Sequence, residues 1–283
     1  MPGPNPTVRQ REIGMRLRGI RTNEGMTVED VARELLCSAT KISRIETGAR
    51  PASLRDVRDL CRIYDLGERD TAELMELARE ARQPGWWTQY TELNLTPHIG
   101  LEDEAATITA FSMYAVPALL QTQEYAEALN SISAPKVASS ILNMRIEALT
   151  KRQQILERDP APRYRALLDE AVLHRRVGGL GVIAAQLDKI LYLAQAGQAT
   201  IQVIPFEVGA HGSSDSNFEI FEFDKETLPP VVFVEGLVSN LYQERRAEIK
   251  RYRDAAEHLR DTALSPKDSH LLIKKLRECQ AGA

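Results

Sequence analysis

The sequence predicts a small, mainly α N-terminal domain joined to a larger α+β C-terminal domain with a small sheet. Three observations carry that expectation. At 283 residues the chain exceeds the size at which one hydrophobic core usually stops growing. Residues 9–66 hold four short segments with apolar residues at helical spacing, separated by caps and glycines. Short β-branched and aromatic runs follow only in the second half.

Composition fits an ordinary globular protein, with 43% apolar, 27% charged and 6% aromatic residues. No apolar run approaches the roughly 18 to 20 residues of a membrane span, and the opening MPGPNPTVRQRE has no apolar core of the signal-peptide kind. The three cysteines, Cys37, Cys61 and Cys279, are scattered and form no CxxC pair, which argues against a disulfide framework or zinc knuckle. A cytoplasmic protein without a membrane partner is expected.

Residues 1–8 read as a flexible tail. The first helix carries Ile13, Leu17 and Ile20 and stops near Gly25. Thr27 is placed as the N-cap of a second helix, with Asp30 three residues on, and Val28, Val31, Ala32 and Leu35 form its apolar face. Ser38 caps a short third helix that turns Ile42 and Ile45 inward, and Gly48 and Pro51 close it. A fourth runs from Ser53 to Tyr64. Residues 67–95 read as a linker helix, Asp70 to Arg82, broken at Gln83-Pro84-Gly85, then the adjacent Trp86 and Trp87. Adjacent tryptophans cannot both face one helical core, so one of them is expected to pin the linker onto a neighbouring domain.

The second domain is assigned to residues 96–283. Helices are expected over Leu101 to Tyr114, Glu124 to Ser131, Val137 to Glu157 and Leu180 to Ala196. Strands are expected at Tyr164 to Leu168, Ile201 to Ile204, Phe218 to Phe223, Val231 to Glu235 and Val238 to Tyr242. Two helices close the chain, Glu244 to Leu264 and Lys267 to Gln280, the second capped by Ser265 with Pro266 in its first turn.

Net charge is −4, which by itself argues against a nucleic-acid partner. The average hides a partition. From Thr7 to Tyr64 there are eleven arginines and Lys41 against eight acidic residues, a balance of +4, and the remainder carries −8. A basic module on an acidic body is the asymmetry expected when one domain meets phosphates and the other meets something else.

The second and third helices are joined by a turn too tight for an ordinary linker. In a helix-turn-helix the second member presents its N-terminal residues to major-groove base edges. Here the outward positions are Ala39, Thr40, Ser43 and Arg44. The segment SATKISRIETGARPAS, Ser38 to Ser53, resembles the helix-turn-helix of the XRE, lambda-repressor-like family, whose Ile-Ser-Arg-Ile-Glu-x-Gly run is present as Ile42, Ser43, Arg44, Ile45, Glu46 and Gly48. The resemblance implies a five-helix DNA-binding fold over residues 9–66 and a partly buried ion pair between Arg21 and Glu46.

Side-chain chemistry then assigns roles. Arg44 suits a bidentate contact to guanine, Thr40 a thymine methyl or a hydrogen-bonding edge, Ala39 a methyl group, and Lys41 and Arg50 phosphates. Backbone N–H groups near Thr27 suit a further phosphate, and Ser38 and Ser43 complete the DNA-facing set. Two departures from the family pattern are Val28 in place of a frequent Gln, which weakens one phosphate contact, and Leu36 in place of the usual turn Gly.

Residues 96–283 contain no P-loop, HExxH, GxSxG or dinucleotide fingerprint, and five dispersed histidines suit no metal site. No catalytic residue, metal or cofactor is expected. Glu170 and His174 lie one helical turn apart and can in principle act as acid and base; caps or ion pairs with Arg175 and Arg176 are favoured. Gly178 and Gly179 read as a tight interhelical turn, the Gly209 to Asn217 loop as an ordinary strand connection, and Leu119, Leu120, Gln121 and Tyr125 as a core element.

The stretches VPALLQTQEYA (Val116 to Ala126), LLDEAVLHRRVGG (Leu167 to Gly179), IQVIPF (Ile201 to Phe206) and SNFEIFEF (Ser216 to Phe223) resemble the C-terminal domain of actinobacterial regulators of the WhiJ type. That resemblance implies a transcriptional regulator, commonly a repressor, whose second domain binds a small BldB-like partner protein encoded nearby, some such pairs being antitoxin and toxin. The expectation is therefore a nucleoid-associated homodimer on double-stranded DNA, at a palindromic operator. For the second domain a protein platform is preferred to a small-molecule sensor, and an enzyme stands last.

Overall fold

The computed structural model describes residues 8–83, 85–93, 96–133, 138–212, 216–224, 228–236 and 239–281. The expected tail before residue 8, Pro84 of the linker, Val137, residues 213–215 of the polar loop and Val238 lie outside them. The chain divides into two compact units, residues 1–104 with 224–228, and residues 105–223 with 229–283.

The described part of the first unit is helical: α1 Val8–Asn23, α2 Val28–Glu34, α3 Ala39–Glu46, α4 Leu54–Ile63 and α5 Glu68–Glu80, then 3-10 turns over Trp86–Leu93 and α6 Thr96–Glu104. Side chains spaced three and four apart, among them Ile13, Leu17, Val31, Ile42, Ile45, Val57, Leu60 and Leu77, close one core. Each such burial contributes about 1.5–3 kcal/mol before entropy is counted. Reciprocal capping boxes fix two helix starts. Thr27 N–H donates to Asp30 at 3.0 Å while Asp30 N–H donates to the Thr27 hydroxyl at 3.1 Å, and Ser53 and Asp56 repeat the arrangement at 3.1 and 3.0 Å. Trp87 is buried and Trp86 half-buried. The Trp87 ring lies against Gly100 of α6 and Trp86 Nε1 donates to Asp103 at 3.3 Å, so both indoles pack within this unit.

The second unit is α+β. Its elements are β1 Thr107–Ser112, α7 Gln123–Ser133, α8 Ser139–Gln153, β2 Arg163–Asp169, α9 Ala171–His174, α10 Leu180–Gln195, β3 Thr200–Ile204, β4 Phe218–Glu222, β5 Val231–Val234, β6 Leu241–Gln243, α11 Arg246–Thr262 and α12 Pro266–Ala281. They build a six-stranded sheet in the order β3-β2-β1-β4-β5-β6. β1, β2 and β3 run parallel, and β4, β5 and β6 are added antiparallel. The parallel pairs need long crossovers, which α7 with α8, and α9 with α10, supply.

The expected helix from Leu101 to Tyr114 is corrected here. Residues 96–104 are helical, but Thr107–Ser112 is the strand that joins the parallel and antiparallel halves of the sheet, with Ile108 facing Tyr164 on one side and Phe221 on the other. Five of its six residues are buried, Thr109 and Ser112 among them, and its polar alternation runs only from Thr107 to Ala110 before Phe111 breaks it, too short a signal to mark a strand. One sheet face packs Phe111, Leu167, Phe218, Ile220 and Val232 against Ile249, Ala256 and Leu259 of α11. At the β3 edge, Val203 N–H donates to Ser269 Oγ at 2.9 Å and Leu264 N–H donates to the Val203 carbonyl at 2.8 Å, so the start of α12 covers this edge.

Between β1 and α7 the chain passes through a 3-10 turn at Ala118–Leu120, with Leu119, Leu120 and Gln121 buried, as is Tyr125 in the first turn of α7. Irregular buried backbone must find partners outside itself, and long polar side chains supply them. Gln186 of α10 accepts from Thr122 N–H at 2.8 Å and donates to the Leu120 carbonyl at 2.7 Å. Gln153 donates to the Ala118 and Gln121 carbonyls, both at 2.8 Å, and Lys189 Nζ donates to the Gln121 carbonyl at 2.6 Å. Burial pushes the Lys189 ammonium pKa down, with Glu157 and Glu124 opposing it. The segment is a core element held by side chains of two helices, α8 and α10.

Gln186→Leu keeps the volume and removes both bonds. Stranding a buried donor and a buried acceptor should cost about 2–4 kcal/mol, read as a lower urea midpoint for the second unit. An unchanged midpoint would show that the Gln186 bonds do not hold the segment.

Candidate nucleic-acid interface

The α2–α3 turn is built by a helix stop. Cys37 N–H donates to the Ala32 carbonyl at 2.9 Å and Leu36 N–H to the Arg33 carbonyl at 3.3 Å, and Leu36 takes the left-handed conformation, φ +51°. A non-glycine residue there costs about 1–2 kcal/mol. Its side chain is 92% exposed. Leucine therefore keeps the geometry that glycine would adopt without strain, and the turn stays tight.

Ser38, extended in backbone, accepts from Lys41 N–H at 3.2 Å and starts α3. Ile42 and Ile45 are buried, which rotates the opposite face outward: Thr40, Ser43 and Arg44 are exposed and Ala39 is half-buried. Thr27 and Arg50 are exposed as well, and Arg50 N–H donates to the Arg44 carbonyl at 2.9 Å. The structure thus gathers Ala39, Thr40, Ser43 and Arg44 along α3, with Ser38 and Arg50 at its two ends, and puts Thr27 at the start of α2. The N–H and hydroxyl of Thr27 are both committed to Asp30.

Two ion pairs hold α3. At its C-terminal end Arg21 of α1 meets Glu46 through a fork, Nε to Oε1 at 2.6 Å and Nη2 to Oε2 at 3.0 Å, with both side chains at or below a tenth of full exposure. Arg21 Nη1 also donates to the Met26 carbonyl at 2.7 Å, which ties in the α1–α2 turn. The bond to Glu46 outweighs burial and holds the guanidinium charged, while burial and then the Glu46 carboxylate push the nearby Tyr64 phenol up. At the N-terminal end the Lys41 ammonium sits 2.6 Å from Asp56 of α4. Burial acts to raise the Asp56 carboxyl, but hydrogen bonds from Lys41 and Ser53 outweigh it and leave the carboxyl below the usual carboxylate range.

α1 also crosses the end of α3 with backbone in contact. A Cβ at Gly14 would lie 2.5 Å from the Ile45 carbonyl oxygen and 2.6 Å from that of Glu46. Gly14 and Asp56 escaped the sequence reading. An isolated glycine in a helical pattern and the Ser53-x-x-Asp56 capping box were the available signals.

Arg9, Arg16, Arg21, Arg33, Lys41, Arg55 and Arg58 pair with carboxylates. Among the described arginines between Thr7 and Tyr64, Arg18, Arg44, Arg50 and Arg62 stand in no such pair. Two of these four cations belong to α3 and the turn after it.

A family model described as a helix-turn-helix domain matches residues 12–74. A second, described as a domain of unknown function (DUF5753), matches residues 95–275, more than half of the chain. The chain belongs to the DUF5753 family. Comparisons with curated proteins and with solved structures found no match. The α3 face lies wholly in the helix-turn-helix match, outside the DUF5753 part. Among the described residues no helix is long and apolar enough to cross a membrane.

The DUF5753 part takes in all six strands. At the end of β2, Asp169 accepts from Ala171 N–H at 2.8 Å and faces His211 Nε2 at 3.3 Å. Glu170 accepts from Phe206 N–H at 2.9 Å and faces His174 Nε2 at 3.1 Å. Each carboxylate is therefore split between a backbone donor and an imidazole, which organises loops. Gly178 and Gly179, φ +72° and +89°, form the turn that leads into α10 of the DUF5753 part.

Glu46→Ala should destabilise the helix-turn-helix unit by about 3 kcal/mol, because it leaves the Arg21 charge buried and unpaired. Urea unfolding followed by a first-unit probe checks this, and a loss under 1 kcal/mol would mean water replaces the carboxylate. Asp56 gives a pH dependence. Its folded carboxyl titrates below the unfolded value, so its stabilisation is complete above the ordinary carboxylate range and is lost as pH falls through the folded value. Stability of the first unit should drop below about pH 4, with a shallower drop in Asp56→Asn. Equal slopes would remove Asp56 from the acid response.

Proposed function

We propose that the chain is a sequence-specific DNA-binding transcriptional regulator, acting as a repressor, that reads DNA through α3. The single observation that carries this reading is the outward face of α3: two small hydroxyl side chains and an unpaired arginine on a short helix whose opposite face is locked into a core. An exposed arginine with its full fork of donors suits the O6 and N7 edge of guanine. Thr40 and Ser43 suit hydrogen-bonding edges and Ala39 a methyl group, while Arg50 suits a phosphate beside the groove. Ser38 and Thr27 fix where α3 and α2 begin, and backbone N–H groups at the start of α2 face the phosphates. Arg21 and Glu46 set the angle at which α3 is offered. The match of residues 12–74 to a helix-turn-helix model supports the same reading.

One such head contacts few bases, so two are placed on a palindromic operator as a homodimer, with half-sites about 34–36 Å apart. The likeness to WhiJ-type regulators extends the proposal to the DUF5753 part, which would bind a small BldB-like partner protein in an antitoxin-like pair. Tyr114 and Phe206 support a protein-facing role. They follow the parallel strands β1 and β3, so both lie toward the same end of the sheet, and each exposes more than half of its surface. Regulation would then follow from different partner affinity for the DNA-bound and free forms.

The reading is tested by selecting duplexes from a random library with the full chain and with Arg44→Ala. The wild type should return a palindromic motif, and the variant should lose about 1–3 kcal/mol of discrimination at a guanine in each half-site. The same motif from a folded Arg44→Ala protein would take base reading away from α3.

A further inference from the structure

Lys41 stands in the first turn of α3, the turn that a helix-turn-helix brings closest to DNA. By residue type it is a phosphate ligand. Its ammonium is nevertheless 2.6 Å from Asp56 Oδ1, with 22% of the lysine side chain and 12% of the aspartate side chain exposed. The second oxygen of that carboxylate, Oδ2, accepts from the Ser53 N–H at 3.1 Å and from the Ser53 hydroxyl at 2.7 Å. Asp56 is thus fixed by the start of α4 and cannot follow Lys41 outward. If Lys41 swung to a phosphate, it would leave a carboxylate in a largely buried position with one oxygen stripped of its partner, a costly exchange for a contact made in water. The neighbouring cations Arg44 and Arg50 face no such competitor.

We infer that Asp56 is a positioning residue that sets the affinity of the head for DNA: by holding the Lys41 ammonium it withdraws one cation from the DNA face and lowers affinity for every duplex, whatever its sequence. The inference rests on the proposed DNA-binding role and deepens it. A phosphate contact contributes equally on every sequence. Removing one therefore weakens non-specific and specific complexes alike, lowers the salt dependence of both, and leaves the ratio between them to the base contacts.

The test measures binding of the full-length chain to a random-sequence 30-base-pair duplex across a salt series, for wild type, Asp56→Asn, Lys41→Gln and the double variant. Asn retains an acceptor for the Ser53 cap, and circular dichroism establishes that each protein is folded. Asp56→Asn should bind on the order of fivefold more tightly near 0.1 M salt and steepen the slope of log K against log salt by about 0.9, one released counterion. Lys41→Gln should leave the wild-type slope in place, and the double variant should return to it. A merely structural clamp would move stability in these variants without moving the slope.

Three results overturn the inference while leaving DNA binding standing. These are an unchanged slope in Asp56→Asn, a slope already lowered by about 0.9 in Lys41→Gln, and a tighter complex that persists in the double variant, which would assign the effect to the Asp56 charge itself. Absence of duplex binding by the wild type even at low salt would remove both the inference and the DNA-binding reading beneath it.

Discussion

The first unit depends on the Arg21–Glu46 fork. It joins α1 to α3 and, through Met26, to the turn that precedes α2, so one guanidinium fixes three elements. Only arginine presents donors in a plane that can serve two carboxylate oxygens and a carbonyl at once; lysine at position 21 would satisfy a subset. Glu46 sits in the last turn of α3, where a negative charge is disfavoured by the helix dipole. Without Arg21 it would be both buried and misplaced. The pair is therefore less a source of net stability than a condition on geometry, since its cost is recovered only when α1 and α3 cross at one distance and angle.

Gly14 shows how narrow that condition is. Carbonyl oxygens of Ile45 and Glu46 occupy the space that any β-carbon at position 14 would need, so the crossing that brings Arg21 to Glu46 also demands glycine about two turns earlier. Lys41 and Asp56 set the other end of α3 against α4. With both ends tied and Ile42 and Ile45 in the core, α3 has little freedom to rock, and its exposed residues are held as a rigid row. Rigidity of this kind is what base-edge recognition requires, because a bidentate hydrogen bond fails within a few tenths of an ångström. Leu36 accepts backbone strain in the same service, keeping the turn tight where a relaxed turn would let the pair of helices spread.

Most helices of the first unit were legible because each carries its own punctuation. Thr27, Ser38 and Ser53 cap, Gly25 and Gly48 stop, and the apolar residues between them repeat at helical spacing. Strand β1 was not, and the reason is physical. Buried on both faces and paired on both edges, Thr-Ile-Thr-Ala-Phe-Ser alternates over only four residues, too few for periodicity alone to separate it from the helix before it. Sheet order was equally hidden, since β1 pairs with β2 and β4, whose partners lie some fifty and more than a hundred residues away in sequence. The α3 face was legible from residue types, but the state of Lys41 was not. Its type says phosphate, and only the fold shows that a carboxylate fifteen residues later already holds it.

The same lesson applies to charge. A formal balance of +4 over Thr7 to Tyr64 suggests a diffuse basic surface, yet more than half of its cations are bound within the protein. Those pairs set helix geometry and contribute little field at a distance, because each cation lies beside an anion, Arg55 and Arg58 sharing Asp59. Arg18, Arg44, Arg50 and Arg62 are the cations without an acidic partner among those described between Thr7 and Tyr64, where Glu24, Glu29 and Glu34 are exposed as well, and Arg44 and Arg50 are joined through a backbone hydrogen bond across the end of α3. The unpaired cations are thus not a cloud around the head but a few fixed points, two of them at one helix. Local placement of unpaired guanidinium groups, and not the sum over the chain, decides which surface can meet a polyanion.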